Sequence, residues 1–170
     1  MKRILILNGA GRRNGSTAEM TRAFAEAARA NGNEVEEFFL QYMDIRGCVN
    51  CGTCGRNVRT ADSPCSRKDD MDLIYPAFGA ADVVVFASPV YFWDITGPLK
   101  TAVDRLYAPL RRSGIADSKK EFALLMTSGG STIEHMLDWC SSFENRLGWT
   151  RIGAAMNDVE EARRIGAGIK

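Results

Sequence analysis

The sequence lacks an excess of charge of either sign. Its 22 lysines and arginines are balanced by 21 aspartates and glutamates, which leaves a formal net charge of +1 at pH 7. A near-neutral chain has no broad positive field with which to attract nucleic acid or an anionic membrane surface. It also differs from small electron carriers that dock their partners through a strongly charged face. We therefore expect no nucleic-acid partner and no membrane partner.

Long apolar runs are missing as well. None approaches the roughly 18 residues that a membrane-spanning helix needs. A basic start at residues 1–3 is followed by a short apolar run at residues 4–7, which is too short for a signal peptide. The 170 residues are 45% hydrophobic and 25% charged, the proportions of an ordinary folded domain. We expect a single cytoplasmic domain over residues 1–170.

Three motifs of phosphate and nucleotide chemistry are absent. The glycine-rich turn after the first predicted strand contains no Gly-Lys-Ser or Gly-Lys-Thr, which excludes a P-loop. Position 14 is asparagine, so Gly9 and Gly11 do not continue into the dinucleotide-binding fingerprint. A phosphoacceptor receiver domain would need acidic residues where Asn8 and Gly9 stand, and an aspartate where Ser88 stands.

What the sequence does contain is an alternation of strand and helix patterns. Continuous apolar runs predict strands buried on both faces, and apolar residues at helical spacing predict helices between them. The predicted strands cover residues 4–7, 34–40, 83–87, 122–126 and 149–156. Five such units predict an α/β fold, a flavodoxin-like three-layer sandwich with a five-stranded parallel sheet in the order 2-1-3-4-5. Residues 41–70 are the least regular part, and a connection of that length favours a functional segment.

Small and polar residues mark the predicted helix ends. The first helix is predicted to end at Gly32. Residues 96–98 open another helix, whose predicted buried face is Leu99, Ala102, Val103 and Leu106. Residues 131–134 have the pattern of a capping box at the start of the helix that carries Cys140.

The fold predicts where a ligand binds, because such sheets hold ligands at the carboxyl ends of their strands, near the reversal of strand order. This rule, called the switch-point rule because the strand order reverses there, selects residues 8–17, 88–95 and 127–131. The first loop is glycine-rich and opens a helix whose free N–H groups suit a phosphate. A plain turn in which Ser16 caps the helix explains the same residues. The candidate binding residues of this loop are Gly9, Gly11, Arg12, Asn14, Ser16 and Thr17.

The second loop holds three consecutive aromatic residues at the end of a central strand, where a flat heteroaromatic ligand would bury its rings. A subunit interface explains the same aromatics, and the two interpretations are compatible. We expect a homodimer or homotetramer with Trp93 at or near the subunit boundary. The candidate residues of the second and third loops are Pro89, Val90, Tyr91, Phe92, Trp93, Asp94 and Ile95, with Thr127, Ser128, Gly129 and Gly130.

Five cysteines are many for a cytoplasmic chain, where structural disulfides are rare. Cys48, Cys51, Cys54 and Cys65 are clustered, which indicates metal or redox chemistry. Their spacing, Cys-x2-Cys-x2-Cys-x10-Cys, supplies enough thiolates for a cubane iron–sulfur cluster or a tetrahedral zinc ion. Cys140 lies apart, on the apolar face of a predicted helix, and is expected in the core.

Three motifs occur together in the chain. They are Gly-x-x-Arg-x-x-Gly-Ser-Thr at residues 9–17, the cysteine cluster before Asp-Asp-Met at residues 69–71, and Ser-Pro-Val-Tyr-Phe with Thr-Gly-Pro-Leu-Lys and a later Asp-Arg. In this combination the chain resembles the flavodoxin-like NAD(P)H-dependent FMN reductases, including their iron–sulfur flavoprotein branch. The resemblance implies that Arg12, Asn14, Ser16 and Thr17 hold the FMN phosphate, that residues 89–95 border the isoalloxazine ring, and that residues 127–130 complete the pocket.

The resemblance also implies a function: an FMN-dependent oxidoreductase that accepts hydride from NAD(P)H and reduces a quinone, a nitro or azo compound, or another small acceptor. The cofactor carries the chemistry, so no catalytic side chain is expected. His135 is expected on a solvated helix face, and Asp104 and Arg105 in polar contacts with neighbouring elements. The alternative is an iron–sulfur flavoprotein or a flavodoxin-type electron-transfer protein. A cluster is not favoured, because the last cysteine gap is longer than is usual in that branch, and we expect free thiols.

Overall fold

A sheet of parallel strands runs through the centre of the computed structural model, which describes residues 1–54, 63–113, 119–130 and 133–170. Within these ranges the chain forms six strands and six α-helices. The strands are β1 (Arg3–Asn8), β2 (Glu34–Phe39), β3 (Val83–Tyr91), β4 (Asp94–Ile95), β5 (Glu121–Thr127) and β6 (Thr150–Met156). The helices are α1 (Ser16–Ala30), α2 (Met71–Ala80), α3 (Gly97–Arg105), α4 (Tyr107–Ser113), α5 (Glu134–Leu147) and α6 (Val159–Ala167).

The pairing of the strands confirms the predicted sheet order. Strands β2-β1-β3-β5-β6 pair side by side in parallel, which is the order 2-1-3-4-5 once β4 is set aside. The short β4 pairs antiparallel with the end of β3. Strand β1 lies between β2 and β3, with Ile4 opposite Val35 on one side and Val83 on the other. The carboxyl ends of β1 and β3 therefore flank the point where the order reverses.

Both faces of the sheet are covered, which explains why β1 is an unbroken apolar run. Ile4 and Ile6 are buried in a cluster formed with helices α1 and α6. Leu5 and Leu7 belong to a second cluster, on the face covered by α2, α3 and α5. Alternate side chains of one strand thus serve two apolar layers, as the three-layer prediction requires.

Two predicted helix starts differ in the structure, while one predicted end is confirmed. Helix α1 begins at Ser16, but its N-cap is Gly15 and no side chain caps it, so the interpretation of Ser16 as the cap is wrong. Helix α5 begins after Ile133, and residues 131 and 132 of the expected capping box lie outside the described ranges. Gly32 follows α1 with a φ of +80°, a left-handed conformation that glycine adopts without strain.

The helix opened by Thr96 buries a charge at its end. Val103 of its predicted apolar face is only half-buried, whereas Arg105 is 2% exposed. Arg105 contacts residues outside its helix, as predicted, but Asp104 pairs with Lys100 of the same helix at 2.6 Å, so the predicted contact of Asp104 with another element is wrong. A buried arginine requires partners, and these are described below.

Two residues outside the loops lie where the sequence predicts. His135 is exposed on α5, and Cys140 of the same helix is fully buried. Burial raises the pKa of the Cys140 thiol to about 12, as expected for a cysteine that serves only packing. No helix in the described ranges is long and apolar enough to cross a membrane.

Candidate functional site

Three loops meet at the carboxyl ends of β1, β3 and β5. The hydroxyl oxygens of Thr17 and Thr127 lie 2.7 Å apart in a buried hydrogen bond that joins the first loop to the third. The hydroxyl of Thr96 donates to the carbonyl oxygen of Gly9 at 2.9 Å and joins the first loop to the start of α3. The first loop is therefore bonded directly to the third loop and, through Thr96, to the helix that follows the second loop.

The buried side chain of Asn8, the last residue of β1, shapes the first loop. Its Oδ1 accepts a hydrogen bond from the Ala10 N–H at 2.8 Å, and its Nδ2 donates to the Glu37 carboxylate on β2 at 2.8 Å. The N–H of Gly9 donates to the Ala87 carbonyl oxygen of β3 at 2.8 Å. The Asn8 side chain thus continues the bonding of the sheet edge at the point where the chain turns toward α1.

Gly9 permits an approach that no larger residue allows. A Cβ atom at this position would lie 2.3 Å from the Oγ1 of Thr96 and 2.8 Å from the Cβ of Leu99. Thr96 is itself fixed, because its N–H donates to the Oγ of Ser88 at 3.0 Å. The start of α3 is therefore pressed against the first loop, and the glycine is required by space.

The start of α1 offers hydrogen-bond donors that the helix itself does not use. No side chain caps it at Gly15, and Arg12, Asn14 and Ser16 are exposed around it. A helix N-terminus beside a guanidinium and a hydroxyl is the donor set that a phosphate group needs. The residues present therefore fit the phosphate of FMN.

The two arginines of this loop have different surroundings. The Arg13 guanidinium lies 4.6 Å from the ring centroid of Tyr42 and 5.0 Å from that of Phe39, both of them cation–π contacts. The Tyr42 hydroxyl in turn donates to the Gly11 carbonyl oxygen at 3.1 Å. Because Arg13 is held against the end of β2, Arg12 is the arginine available to an anion.

The second loop is a β-hairpin, so the prediction of an irregular loop over residues 88–95 is wrong. Strand β3 continues to Tyr91, which pairs with Asp94 of β4. Phe92 and Trp93 form the two-residue turn with φ values of +51° and +65°. Asparagine and glycine normally occupy such turns, because the left-handed conformation costs other residues roughly 1–2 kcal/mol each.

The aromatic side chains of this hairpin face solvent. Tyr91 is 62%, Phe92 92% and Trp93 73% exposed. The rings of Phe92 and Trp93 contact each other, with their centroids 4.9 Å apart. Backbone strain and exposed apolar area at one place are typical of a ligand or partner surface.

Asn157, which follows β6, braces the third loop. Its Oδ1 accepts from the Ser128 N–H at 2.9 Å, and its Nδ2 donates to the Ser128 carbonyl oxygen at 2.8 Å. Its φ of +55° is one that asparagine tolerates better than most residues. Within the loop, the Gly130 N–H donates to the Ser128 hydroxyl at 3.0 Å. These bonds hold the backbone at Ser128 and Gly130.

The clustered cysteines line one cavity of about 420 Å³, together with Tyr107 and Arg111 of α4. Cys48 and Cys51 are exposed, Cys54 is half-buried and Cys65 is buried. Four thiols on one cavity have the ligand chemistry of an iron–sulfur cluster or of zinc. In the described part of the chain, no three or more His, Cys, Asp or Glu side chains are grouped closely enough to hold a metal ion. The donor set fits, and the sulfurs would have to close around a metal.

Two of these thiols have shifted pKa values. The Sγ of Cys51 lies 3.1 Å from both the Ser66 and the Thr53 hydroxyl oxygens. Hydrogen bonds from Ser66 and then Thr53 lower the pKa of Cys51 to about 7. Burial, together with the neighbouring cysteines, raises the pKa of Cys54. Cys51 therefore has more thiolate character at neutral pH than Cys54.

Comparison with known proteins decides the family. Residues 2–157 match the family described as "NADPH-dependent FMN reductase". The chain belongs to this family. An iron–sulfur flavoprotein of Methanosarcina thermophila is 32% identical over 139 residues, which cover 78% of this chain and 70% of that protein. The predicted resemblance to the FMN reductases and their iron–sulfur flavoprotein branch is thus confirmed.

In two other relatives the match covers less than two thirds of the relative's length. An iron–sulfur flavoprotein of Archaeoglobus fulgidus is 35% identical over 106 residues, which are 62% of this chain but only 46% of that protein. A putative NAD(P)H-dependent FMN-containing oxidoreductase of Bacillus subtilis is 27% identical over 122 residues, 72% of this chain and 61% of that protein. The chain thus spans about half to two thirds of the length of these two relatives.

Solved structures confirm the fold of this FMN reductase family member. An NAD(P)H:quinone oxidoreductase from Methanothermobacter marburgensis superposes with a TM-score of 0.73 at 20% identity, over 99% of both chains. The flavodoxin of Megasphaera elsdenii superposes with a TM-score of 0.60 at 18% identity, over 96% of both chains. At such identities the likeness establishes the flavodoxin-like α/β fold alone.

Membership in an FMN reductase family confirms FMN as the predicted cofactor. The predicted site residues then fall into two groups. The exposed ones can meet a ligand directly, and they are Gly11, Arg12, Asn14, Ser16, Tyr91, Phe92, Trp93, Asp94, Gly129 and Gly130. The buried or half-buried ones shape the loops, and they are Gly9, Thr17, Pro89, Val90, Ile95, Thr127 and Ser128.

Sequence reasoning missed the residues that tie the loops of this FMN reductase family member together. They are Asn8, Ser88, Thr96 and Asn157, whose hydrogen bonds are given above. A signal was available for each of them. Every one is a small polar residue at or near the carboxyl end of a predicted strand, or at the start of a helix. At those positions a side chain can replace the backbone bonds that the element no longer makes.

Alkylation of Cys51 is expected to accelerate with rising pH, with a midpoint at about 7, since only the thiolate reacts and its fraction grows as pH passes the pKa. Replacing Ser66 with alanine and Thr53 with valine removes both hydroxyl donors and is expected to move that midpoint upward. Mass spectrometry after short iodoacetamide pulses, with Cys48 as the exposed reference thiol in the same sample, measures the profile. A Cys51 midpoint that stays in place without both hydroxyls would contradict this account.

Proposed function

We propose that the chain acts as an FMN-dependent oxidoreductase that accepts hydride from NAD(P)H and passes electrons to a small acceptor such as a quinone, a nitro compound or an azo compound. One observation carries the proposal. The uncapped start of α1 and the exposed aromatic hairpin lie at the same edge of the sheet, around its switch point. A ligand with an anionic end and a flat ring end meets both features at once. Residues 1–170 are proposed to act as a single domain.

The protein's part in this reaction is to bind and orient. Bound FMN supplies the redox chemistry. Arg12, Asn14 and Ser16 hold the phosphate from the start of α1, and the buried Thr17–Thr127 bond keeps that loop in register with the third loop. The aromatic side chains of the β3–β4 hairpin provide an apolar wall that excludes water beside the ring. No side chain is assigned a proton-transfer role.

Adding FMN to the purified protein tests the proposal in two steps. We expect a visible flavin spectrum that stays with the protein through a desalting column, and oxidation of NADH or NADPH that continues over many turnovers when a quinone is present. A flavodoxin-type carrier would retain the flavin but hardly turn over. A protein that binds no FMN would refute the proposed site altogether.

The second candidate function is that of a cluster-bearing electron-transfer flavoprotein, and the cavity lined by four cysteines favours it. The proteins of M. thermophila and A. fulgidus that this chain resembles carry the name iron–sulfur flavoprotein. We still favour free thiols. Iron and sulfide analysis after anaerobic purification separates the two candidates, since a cubane cluster contributes about four irons per chain.

We also propose a homo-oligomer, most simply a two-fold dimer, in which the aromatic hairpin lies at the subunit boundary. Two adjacent turn residues that are 92% and 73% exposed offer more apolar surface than one flat ligand covers. Phe92→Asn together with Trp93→Gly is expected to convert the oligomer into monomers, whereas Tyr107→Ser, at an aromatic residue 52% exposed on α4, is expected to leave it intact. Light scattering at micromolar concentration reads the mass. A parent protein that is already monomeric removes this proposal.

A cytoplasmic location is part of the same proposal. None of the five cysteines, all of which lie within the described ranges, forms a disulfide bond, and Cys51 is exposed. A reducing compartment keeps such thiols reduced. Fractionation of the host cells, with the protein followed by antibody, tests the location.

A further inference from the structure

The cysteine segment, of which residues 47–54 and 63–68 are described, is flanked by residues 44–46 on one side and residues 69–70 on the other, and these two flanks form its neck. The Asp70 N–H donates to the Asp44 carbonyl oxygen at 3.0 Å, and the Asp44 N–H donates to an Asp70 carboxylate oxygen at 2.7 Å. Next to them, the Arg46 N–H donates to a carboxylate oxygen of Asp69 at 3.2 Å. The two sides of the neck are therefore bonded to each other.

A single guanidinium group closes this neck from the side of α3. Arg105 donates through Nη1 and Nη2 to the two carboxylate oxygens of Asp69, at 2.8 and 3.1 Å. Its Nη1 also donates to the Arg46 carbonyl oxygen at 2.6 Å. The side chains of Arg105 and Asp69 are 1% and 0% exposed. The buried guanidinium group of Arg105 thus binds both sides of the neck, Arg46 and Asp69, to helix α3.

Stability alone is a weak reason to bury this ion pair. The loss of hydration makes a buried pair about as stabilising as well-packed apolar side chains, or less so. Bidentate pairing of a guanidinium with a carboxylate does, however, define geometry in a way that apolar contact does not. Burial disfavours the charged carboxylate, yet hydrogen bonds from Arg105 and Arg46 hold the pKa of Asp69 below its ordinary value. The pair stays charged, and it defines where the neck lies.

We infer that Arg105 is the positioning residue of the cysteine segment, and that the neck it closes keeps the four thiols grouped on one cavity. The half-buried Cys54 and the buried Cys65 depend on this closure for their protection, whereas Cys48 and Cys51 are exposed in any case. Thiols that already share one cavity need less ordering to bind a soft metal or cluster, around which their sulfurs would still have to close. That use of the site rests on the second candidate function; the positioning role of Arg105 does not.

The arrangement also links the two sites of the molecule. Helix α3 has Thr96 as its N-cap, bonded to the first loop, and Arg105 as its last residue. Nine helical residues span about 13 Å. The first loop is therefore contacted from the N-terminal end of this helix, through Thr96, and the neck of the cysteine segment from its C-terminal end, through Arg105.

Pulsed alkylation with iodoacetamide, read for each cysteine by mass spectrometry, tests the inference on the FMN-loaded protein. Arg105→Met is expected to raise the alkylation rates of Cys54 and Cys65 at least tenfold while Cys140, buried in α5, stays protected and FMN affinity is unchanged. Cys140 is an internal reporter of global unfolding. Lys100→Met removes the exposed pair with Asp104 on the same helix and is expected to change none of these rates.

Two outcomes would overturn the positioning role. One is continued protection of Cys54 and Cys65 in the folded Arg105→Met protein, and the other is acceleration of Cys140 in parallel with them. If Arg105→Met fails to fold, the double variant Asp69→Asn with Arg105→Gln, which buries no charge, is judged by the same two criteria. Cobalt titration is the separate arm. The thiolate-to-cobalt absorption band measures the affinity for cobalt. An affinity at least tenfold lower in Arg105→Met than in the parent supports the second candidate function. A parent protein that binds no cobalt counts against that function alone.

Discussion

Arg12→Ala combined with Ser16→Ala is expected to weaken FMN binding by up to about 10²–10⁴-fold, since each charge-assisted hydrogen bond to phosphate contributes roughly 1.5–3 kcal/mol. Both side chains are exposed at the uncapped start of α1, where they are accessible to an anion. Neither side chain is part of the buried core, so the fold is expected to survive. Titration of the apoprotein with FMN, followed by quenching of flavin fluorescence, measures the change.

Arg13→Ala is the matched control for this experiment. Arg13 has the same charge and is next in the chain, but its guanidinium is stacked on Tyr42 and Phe39. We expect its loss to change FMN affinity by less than Arg12→Ala does on its own. If the Arg12 and Ser16 double variant binds FMN as tightly as the parent, the phosphate lies elsewhere in the protein.

Gly9→Ala is expected to cost about 1–3 kcal/mol of stability, the usual penalty of overpacking, and to weaken FMN binding as well. The added methyl group would lie 2.3 Å from the Thr96 hydroxyl and 2.8 Å from the Leu99 Cβ. To make room, Thr96 must move, and its bonds to the Gly9 carbonyl and to Ser88 are lost. Thermal unfolding with and without FMN separates the two effects.

Gly11→Ala provides the comparison, because a Cβ at that position has no atom within 4 Å. The same single-methyl change in the same loop is expected to leave thermal stability within about 0.5 kcal/mol of the parent, as most surface substitutions do. Equal losses in the two variants would show that the approach of Thr96 to Gly9 is not the source of the effect.

The fold was predictable because both faces of its sheet are covered. Runs such as residues 83–87 and 122–126 contain no polar residue, and such a run is typical of a strand that is buried on both faces of the sheet. Alternation with helices then implies parallel pairing and the order observed. What the pattern could not show is the end of β3, since Phe92 and Trp93 stand where a two-residue turn normally has asparagine or glycine.

The sequence predicts where the candidate site lies, but not the hydrogen bonds that join its loops. The switch-point rule selects the three loops, but the residues that join them are far apart in the chain. Thr17 and Thr127 are 110 positions apart, and Thr96 and Gly9 are 87 positions apart. Such contacts depend on the register of the assembled sheet, about which a local sequence pattern holds no information.

Arg105 shows the same limit from another side. Its neighbour Asp104 forms an ion pair with Lys100 within α3. Arg105 instead bonds to Arg46 and Asp69, which flank the irregular cysteine segment some forty to sixty positions earlier in the chain. A charged residue beside the apolar positions of a helix signals that a partner exists. It does not say which one, because irregular segments have no periodicity from which their path can be read.

The position of β1 between β2 and β3 also has a consequence for how the protein is made. Ile4 pairs with Val35 on one side and with Val83, 79 positions later, on the other. At a synthesis rate of roughly 5–20 residues per second, β3 follows β1 out of the ribosome after about 4–16 s. For that interval β1 can pair only with β2, and its second edge, an unbroken apolar strand, is open to other chains. Strand β1 thus keeps one edge open to aggregation throughout this interval, and the yield of the protein in cells should respond to chaperone supply.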